Sequence, residues 1–339
     1  MNKLLKLFIR TAKADEINTV TQPSGTNLDG GTAVLLDNHV RTVYSKEIEF
    51  KAMPIMRFVQ FAKVKTELGT QPGLTIQMMT YNNLKKGGAL TEGVRMSPQS
   101  LSSTMKSITV GERGNAVAVS ELALKTSFTD IMADATTLLS RDVALTLDTE
   151  LRDTALSGAN VIYGRKADGA KIATRADITK DNLLTVATIK DAVELLATNN
   201  TPKFMGAYYI CFVHPHQSRV LRDDPAWIEA SKYGAPDQLF TGEIGRIDDV
   251  RFIETTLMCN GAVGEDDPAY KADLVSEDGT KVYQAVLFGE DYYAYAVGLP
   301  VELRDNGVTD FGREHGLAWY SIWGTGLLHP ERGVVIETA

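Results

Sequence analysis

His214 and His216 stand one residue apart in Val213-His214-Pro215-His216, and by type and spacing they are the first candidates for chemistry. At a strand end such a pair can share a metal ion, but a third ligand is needed, and His39, His315 and His329 lie at no ligand-like spacing. The structural alternative is a turn in which Pro215 ends a strand and opens a helix. The acidic run Glu265-Asp266-Asp267 lacks the alternating aspartates and distal glutamate of a calcium loop, so a solvated surface loop is expected. Neither a nucleophile elbow nor a phosphate-cradling glycine motif occurs, and Gly111 and Gly114 alone read as a hairpin feature. Cys211 sits inside an apolar run, where a thiol is inert. Asp223-Asp224 and Asp248-Asp249 are sequence neighbours whose side chains point apart on regular structure, which is poor geometry for paired acid and base work. The expectation is a protein that builds rather than catalyses, with no catalytic residue, metal or cofactor.

The bulk numbers agree. A chain of 339 residues, 44% hydrophobic and 23% charged, can bury one large core or two smaller ones. Two cysteines, Cys211 and Cys259, fit a reducing compartment and exclude a disulfide scaffold. In the opening segment the uninterrupted apolar run is only Leu7-Phe8-Ile9, too short for a signal peptide, so a short amphipathic arm is expected. No apolar run reaches the length of a membrane span. Net charge is −8 but unevenly placed: residues 1–120 carry 15 basic and 9 acidic groups, leaving 20 and 34 for residues 121–339. That split suggests that one part meets another part, or a polyanion, during assembly. The longest basic cluster is Lys85-Lys86, which argues against sequence-specific reading of nucleic acid.

Residues 11–40, rich in Thr, Asn, Asp and Gly, read as an extended arm that is costly to order unless it lies on something else. A short helix opened at Pro54 is expected next. Leu74 to Met79 is a strand-like run, followed by a long polar loop; residues 66–106 read as an excursion, and loops of that length usually carry a function or a partner. Met105 to Val110 and Ala116 to Ser120 alternate with period two around Gly111-Glu112-Arg113-Gly114-Asn115, predicting a hairpin. No Gly or Pro interrupts Phe128 to Leu156, and Ile131, Ala135, Leu138, Leu139, Val143, Leu147 and Leu151 repeat at helical spacing. This predicts a spine helix about 40 Å long, capped by Ser127 or Thr129 and stopped at Gly158. After a connector rich in Gly and Lys, Thr188 with Asp191 suggests a capping box. Ala207 to Val213 suits a strand buried on both faces, Val250 to Glu254 and Lys281 to Phe288 are further strands, and Leu317 to Trp323 is a strand returning to the first domain. The class is α+β.

That order of elements resembles the Hong Kong 97-type capsid subunit, and within it the family of major capsid proteins typified by that of phage N-four. The likeness is carried by Leu90-Thr91-Glu92-Gly93-Val94, by Leu147-Asp148, by Val213-His214-Pro215-His216 and by Leu221-Arg222-Asp223-Asp224 with Trp227-Ile228. It continues through Gly242-Glu243-Ile244-Gly245-Arg246, Val250 to Thr255 and Leu287-Phe288-Gly289. The motifs are individually weak and collectively specific in order and spacing, and they span about 90 to 290.

The resemblance implies an N-terminal arm with the start of a peripheral domain (1–65) and an extended loop (66–106). A peripheral domain with the spine helix (107–182), an axial domain (183–310) and a return to the peripheral domain (311–339) follow. Lys85, Lys86, Glu92 and Arg95 are the expected inter-subunit contacts of the extended loop. The implied function is self-assembly, in hexamers and pentamers, into the icosahedral head shell around the double-stranded DNA of a tailed phage. No enzyme activity and no cofactor are implied. Expected partners are a separate scaffolding protein, portal and decoration proteins, and DNA touched non-specifically at the inner surface, with no membrane. The shell would be made in the host cytoplasm and end in the virion. An encapsulin-like compartment shell of the same fold is the alternative, and a metal-dependent hydrolase using His214 and His216 stands well behind it.

Overall fold

Two short strands, β1 (Asn18–Thr19) and β2 (Val34–Leu35), pair in parallel and belong to a unit spanning Met1–Lys51. The computed structural model describes residues 18–19, 34–35, 56–67, 73–89, 91–93, 95–96, 98–127, 130–166, 168–225, 227 and 243–339. The arm expected over 11–40, those strands aside, and the start of the helix expected at Pro54 lie outside the described residues; from residue 56 to Phe61 the chain makes only a 3-10 turn.

The second unit, Ala52–Ala339, opens with a short 3-10 turn at Val59–Phe61 and β3 (Lys63–Lys65). β4 (Thr75–Tyr81) and β5 (Ser103–Thr109) then pair antiparallel as a two-stranded ribbon, Thr75 opposite Thr109 and Tyr81 opposite Ser103. β6 (Gly111–Ser120) follows at once, and with it the hairpin reading of residues 105–120 is corrected. The Gly111 to Asn115 segment is strand, not turn, and β6 pairs along its whole length with a strand from the end of the chain. The reason lies above it. Arg113 and Asn115 reach up to carboxylates of the spine helix, and a Cβ on Gly114 would sit 2.9 Å from the Trp319 carbonyl oxygen, so glycine there admits a close backbone approach.

α1 (Glu121–Thr126) is capped by the Ser120 hydroxyl, which accepts the Ala123 N–H at 3.3 Å. α2 (Ile131–Leu156) is the spine helix, 26 residues long. Its N-cap is Asp130, which accepts from the N–H groups of Met132 and Ala133 and carries the negative charge that the helix dipole favours; this corrects the cap expected at Ser127 or Thr129. Ala135, Leu139, Leu151 and Ala155 are buried on one face, whereas Leu138 is exposed. Two charged residues, Asp148 and Arg152, complete that buried face.

The connector after α2, rich in Gly and Lys, contains β7 (Val161–Tyr163). In α3 (Val186–Thr198) the cap is Thr185, not the box at Thr188: the Thr185 hydroxyl accepts the Thr188 N–H at 3.4 Å. Asp191 is held instead by the Arg165 guanidinium, with contacts of 2.9 and 2.7 Å, and by Lys171 at 3.1 Å. β8 (Tyr209–Val213), all five residues buried, leads into α4 (Pro215–Asp223), then β9 (Glu243–Ile247), β10 (Val250–Glu254) and β11 (Tyr283–Phe288).

β12 (Tyr293–Thr309) and β13 (Glu314–Leu327) form a long hairpin, and β14 (Gly333–Thr338) ends the chain. Two sheets result, a six-stranded one in the order β7-β14-β11-β8-β10-β9 and a four-stranded one in the order β3-β12-β13-β6. The expected return strand 317–323 lies in β13 and pairs with β6. One apolar core, with Phe58, Leu139, Leu151, Phe212, Phe288, Tyr293 and Trp323, lies under α2; a second, with Ile189, Leu196, Val213, Phe252 and Ile336, lies under α3.

What locks α2 down is polar. Asp148, fully buried, accepts the backbone N–H groups of Arg57, Phe58 and Val59 at 3.1, 2.9 and 3.3 Å, and the Tyr293 hydroxyl donates to the Phe58 carbonyl at 2.6 Å. Burial raises the Asp148 carboxyl above its ordinary 3.8, while those three N–H groups and the Arg152 charge pull it back down. Arg152 donates to the carbonyls of Leu257 and Pro268, both at 2.8 Å. Farther along, Asp142 accepts the Trp319 indole N–H and Glu150 that of Trp323, both at 2.8 Å.

Asp148→Ala strands three buried N–H groups, so urea unfolding should show a loss of about 3 kcal/mol; a loss below about 1 kcal/mol would contradict this role. A second expectation concerns acid. Burial raises the Asp191 carboxyl, but Arg165 and Lys171 together bring it below its ordinary 3.8. Between the depressed and the ordinary value the unfolded chain holds more protons, so this pair's stabilisation is whole above about pH 4 and is lost as pH falls through the depressed value. Thermal melts from pH 7 to pH 2.5 should show a shallower acid slope for Asp191→Asn, with about 1 kcal/mol lost at neutrality.

Candidate assembly surface

In the β4–β5 ribbon, alternation sorts the side chains by face. Ile76 and Ile108 point to the body and are buried with Val110, Ala294 and Ala296. On the other face Met79 and Met105 are cross-strand partners next to Tyr81, and all three are more than half exposed. This apolar stripe on the outside of a two-stranded ribbon is left open among the described residues.

Between the strands, residues 82–102 form a loop exposed throughout its described residues. It closes on itself by polar contacts. Lys85 donates its N–H to the Gln99 side chain at 2.9 Å and receives that amide's N–H on its carbonyl at 3.2 Å. Asn82 donates to Ser102 at 3.1 Å and accepts from Thr104 at 3.2 Å. Gly93 takes φ +81°, which a residue with a Cβ avoids. Lys85, Lys86, Glu92 and Arg95 are all exposed on this one loop, and none of the four is in an ion pair among the described residues. Leu90 and Val94 of the same motif lie outside the described residues.

The remaining motifs are structural joints. His214 caps α4: its Nδ1 accepts the His216 N–H at 3.1 Å, and the Gln217 side-chain oxygen accepts the His214 N–H at 3.3 Å. Gln217 then donates to the Tyr283 carbonyl and the Thr338 hydroxyl, tying α4 to β11 and β14. Burial and the neighbouring His216 push the His214 imidazole down to about 4, so it is neutral at pH 7. Its cap bond uses the nitrogen a metal would need on that side. Among the described residues no group of three or more His, Cys, Asp or Glu side chains could hold a metal ion.

Asp224 accepts the Val186 N–H at 3.1 Å, so the Leu221-Arg222-Asp223-Asp224 motif caps α3 from across the domain. Trp227 packs edge-on to Phe252 at 5.2 Å and lies over Gly245, where a Cβ would come within 2.7 Å of the indole. Glu254 accepts from Ser218 at 2.5 Å and pairs with Arg222 at 3.3 Å. At Gly289 a Cβ would meet the Pro202 carbonyl at 2.5 Å. Glu265 and Asp266 are exposed, as expected for a solvated loop. Both cysteines are buried and free, with burial raising the Cys211 thiol far out of the reactive range and the Cys259 thiol to about 11. No helix among the described residues is long and apolar enough to cross a membrane.

The two-sheet frame thus carries an exposed apolar stripe on the ribbon and an exposed polar loop. The chain belongs to the phage capsid protein family, whose sequence pattern matches residues 104–336, more than half of its length. No curated protein matches it at a significant level. Among solved structures it is similar to the capsid asymmetric unit of cyanophage Pam1, at 14% identity and a TM-score of 0.70, over 90% of this chain and 98% of that one. It is also similar to the acid-stable capsid of Helicobacter pylori bacteriophage KHP30, at 12% identity and 0.69, over 94% and 99%. The capsid of Ralstonia phage GP4 follows at 15% and 0.65, over 93% and 98%. At these identities the structural likeness shows the fold, the α+β Hong Kong 97-type capsid fold. The protein is a major capsid protein, a structural subunit of the head shell of a tailed phage, located in the virion capsid.

The cap role of His214 is measurable. His214→Ala should cost about 1 kcal/mol in urea unfolding and His214→Asn distinctly less, with no change in either on adding zinc or a chelator; a chelator-sensitive melt would reverse the assignment.

Proposed function

We propose that the subunits assemble as hexamers and pentamers into an icosahedral shell that encloses double-stranded DNA, with the extended loop of each copy lying on a neighbour. The observation that carries this reading is the ribbon and loop at 73–109, anchored on one face by Ile76 and Ile108, with Met79, Tyr81 and Met105 exposed on the other and four charges in the exposed loop that form no ion pair among the described residues. Lys85, Lys86 and Arg95 against Glu92 make that loop net positive, while residues 121–339 are strongly acidic, so a neighbour's body attracts it. The division into arm, extended loop, peripheral domain with α2, axial domain and return segment belongs to the same reading. So do a separate scaffolding protein, portal and decoration proteins, DNA contacted without sequence preference at the inner surface, and assembly in the host cytoplasm. The chain then acts by packing alone, without catalysis.

Reversing the loop's charge with Lys85→Glu, Lys86→Glu and Arg95→Glu should leave the subunit's melting temperature unchanged, since these side chains are exposed and form no ion pair among the described residues. Particle yield by negative-stain microscopy and sedimentation should fall severalfold, and the wild type should lose yield as salt rises while the triple variant does not. Equal yields at all salt concentrations would remove the loop charges from assembly.

A further inference from the structure

The hairpin of β12 and β13 ends in a side chain that its own fold does not use. The chain turns there through Asp310, Phe311 and Gly312 at φ +47°, +55° and +98°. Left-handed backbone is unfavourable for residues with a Cβ and is a genuine outlier for a bulky one. Here it is imposed on an aromatic ring that is 105% exposed, in a turn whose neighbour Val308 is 64% exposed. A turn held against its preference so as to present a phenyl ring to the outside is the geometry of a knob.

Lower on the same hairpin lies a matching hollow of about 210 Å³. It is lined by Leu139, Ser140 and Val143 of α2, Val301 and Leu303 of β12 and Trp319 of β13. Leu138, the next residue along α2, is exposed as well. The knob cannot fill the hollow of its own chain. Leu303 stands opposite Trp319, and the turn at residue 310 is seven residues farther along an extended strand, roughly 20 Å away. Phe311 is flanked by Asp310 and Arg313, paired at 3.5 Å. Glu302 and Arg304, paired at 3.3 Å with Arg304 over the Tyr320 ring at 4.0 Å, alternate onto the opposite face of the hairpin, so the hollow is lined almost wholly by apolar groups.

We propose that Phe311 of one copy seats in the hollow between α2 and the β12–β13 hairpin of a second copy. Knob and hollow are different surfaces, so the contact is head-to-tail: each copy gives a phenyl ring and receives one, and the series passes on to a third copy. This rests on the reading of the chain as a shell subunit, because only there is each copy surrounded by others. It goes further in naming the residues that meet.

The test uses full-length protein in particles recovered from cells, with a scaffolding protein co-expressed where assembly requires it. Phe311→Cys and Leu303→Cys subunits are co-assembled and oxidised. The native thiols, both buried, do not compete. A disulfide-linked dimer from mixed particles, absent from particles of either variant alone, is the expected result. Phe311→Ser should fold with an unchanged melting temperature, since the ring is fully exposed, and should raise the concentration needed for assembly roughly tenfold or more. Mixed particles that form normally but give no linked dimer, with Phe311→Ser assembling at the wild-type threshold, overturn the contact and leave the shell reading intact. Wild-type protein that stays monomeric under every condition sinks the shell reading and the contact with it.

Discussion

A carboxylate taken out of water must find donors, and Asp148 finds three of them in one turn of backbone at Arg57, Phe58 and Val59. Much of the frame hangs on that arrangement. It fixes the entry of the second unit against the middle of α2, and the Tyr293 hydroxyl on the Phe58 carbonyl fixes the same turn against β12. With Phe58 pinned from both sides, its ring packs on Phe212 at 4.2 Å, which brings the six-stranded sheet into the same core. One turn of α2 farther on, Arg152 holds the loop 257–268 through two carbonyls. A helix whose buried face is part charged is thus held by specified partners rather than by apolar contact alone, and it has one register on the sheets beneath it.

The ladder of Asp142 and Glu150 extends the same logic. Eight residues of helix rise about 12 Å, and four residues of strand about 13 Å, so two carboxylates on α2 coincide with two indoles on β13. Trp319 and Trp323 stack at 5.6 Å beneath them. Arg113 and Asn115 reach the same two carboxylates from β6, which is why the segment that looks like a turn in sequence remains extended.

The sequence showed the class, the spine helix, the buried central strand and the Pro215 turn, because each rests on a local signal: an unbroken helical period, a continuous apolar run, a proline after a histidine. It did not show β7 or β14, whose short apolar runs become strands only by pairing with each other and with β11. Nor did it show the partner of β6. Gly and Asn in a five-residue stretch carry the local signature of a hairpin, and only the distant carboxylates and the Trp319 backbone decide otherwise. Caps were misplaced by a few residues for the same reason: several hydroxyls and carboxylates compete at each helix start, and tertiary contacts claim some of them, as Arg165 claims Asp191. On the outer surface Lys85, Lys86, Glu92 and Arg95 were legible as an exposed loop. Phe311 was not, since a lone aromatic in a polar stretch has no pattern to announce it.

Both projecting parts of the subunit are rooted in the same pair of strands, which gives the surface its mechanical character. The ribbon crosses β13 where glycines let it: a Cβ on Gly324 would lie 2.3 Å from the Thr109 carbonyl oxygen, and one on Gly326 would lie 2.8 Å from Ile108. At the far end the same β13 runs out with β12 to the tip at Asp310–Gly312. The base of the ribbon is in contact with backbone rather than with the flexible end of a side chain, so the ribbon cannot shift there without moving β13 itself. Load placed on the ribbon is therefore borne by the hairpin and, through the two indoles, by α2. Inside, the buried charges that fix this frame are hydrogen-bonded; outside, apolar and charged groups are left open. That division lets a subunit be complete as a fold and still incomplete as a surface, which is the physical requirement for building a shell from copies of one chain.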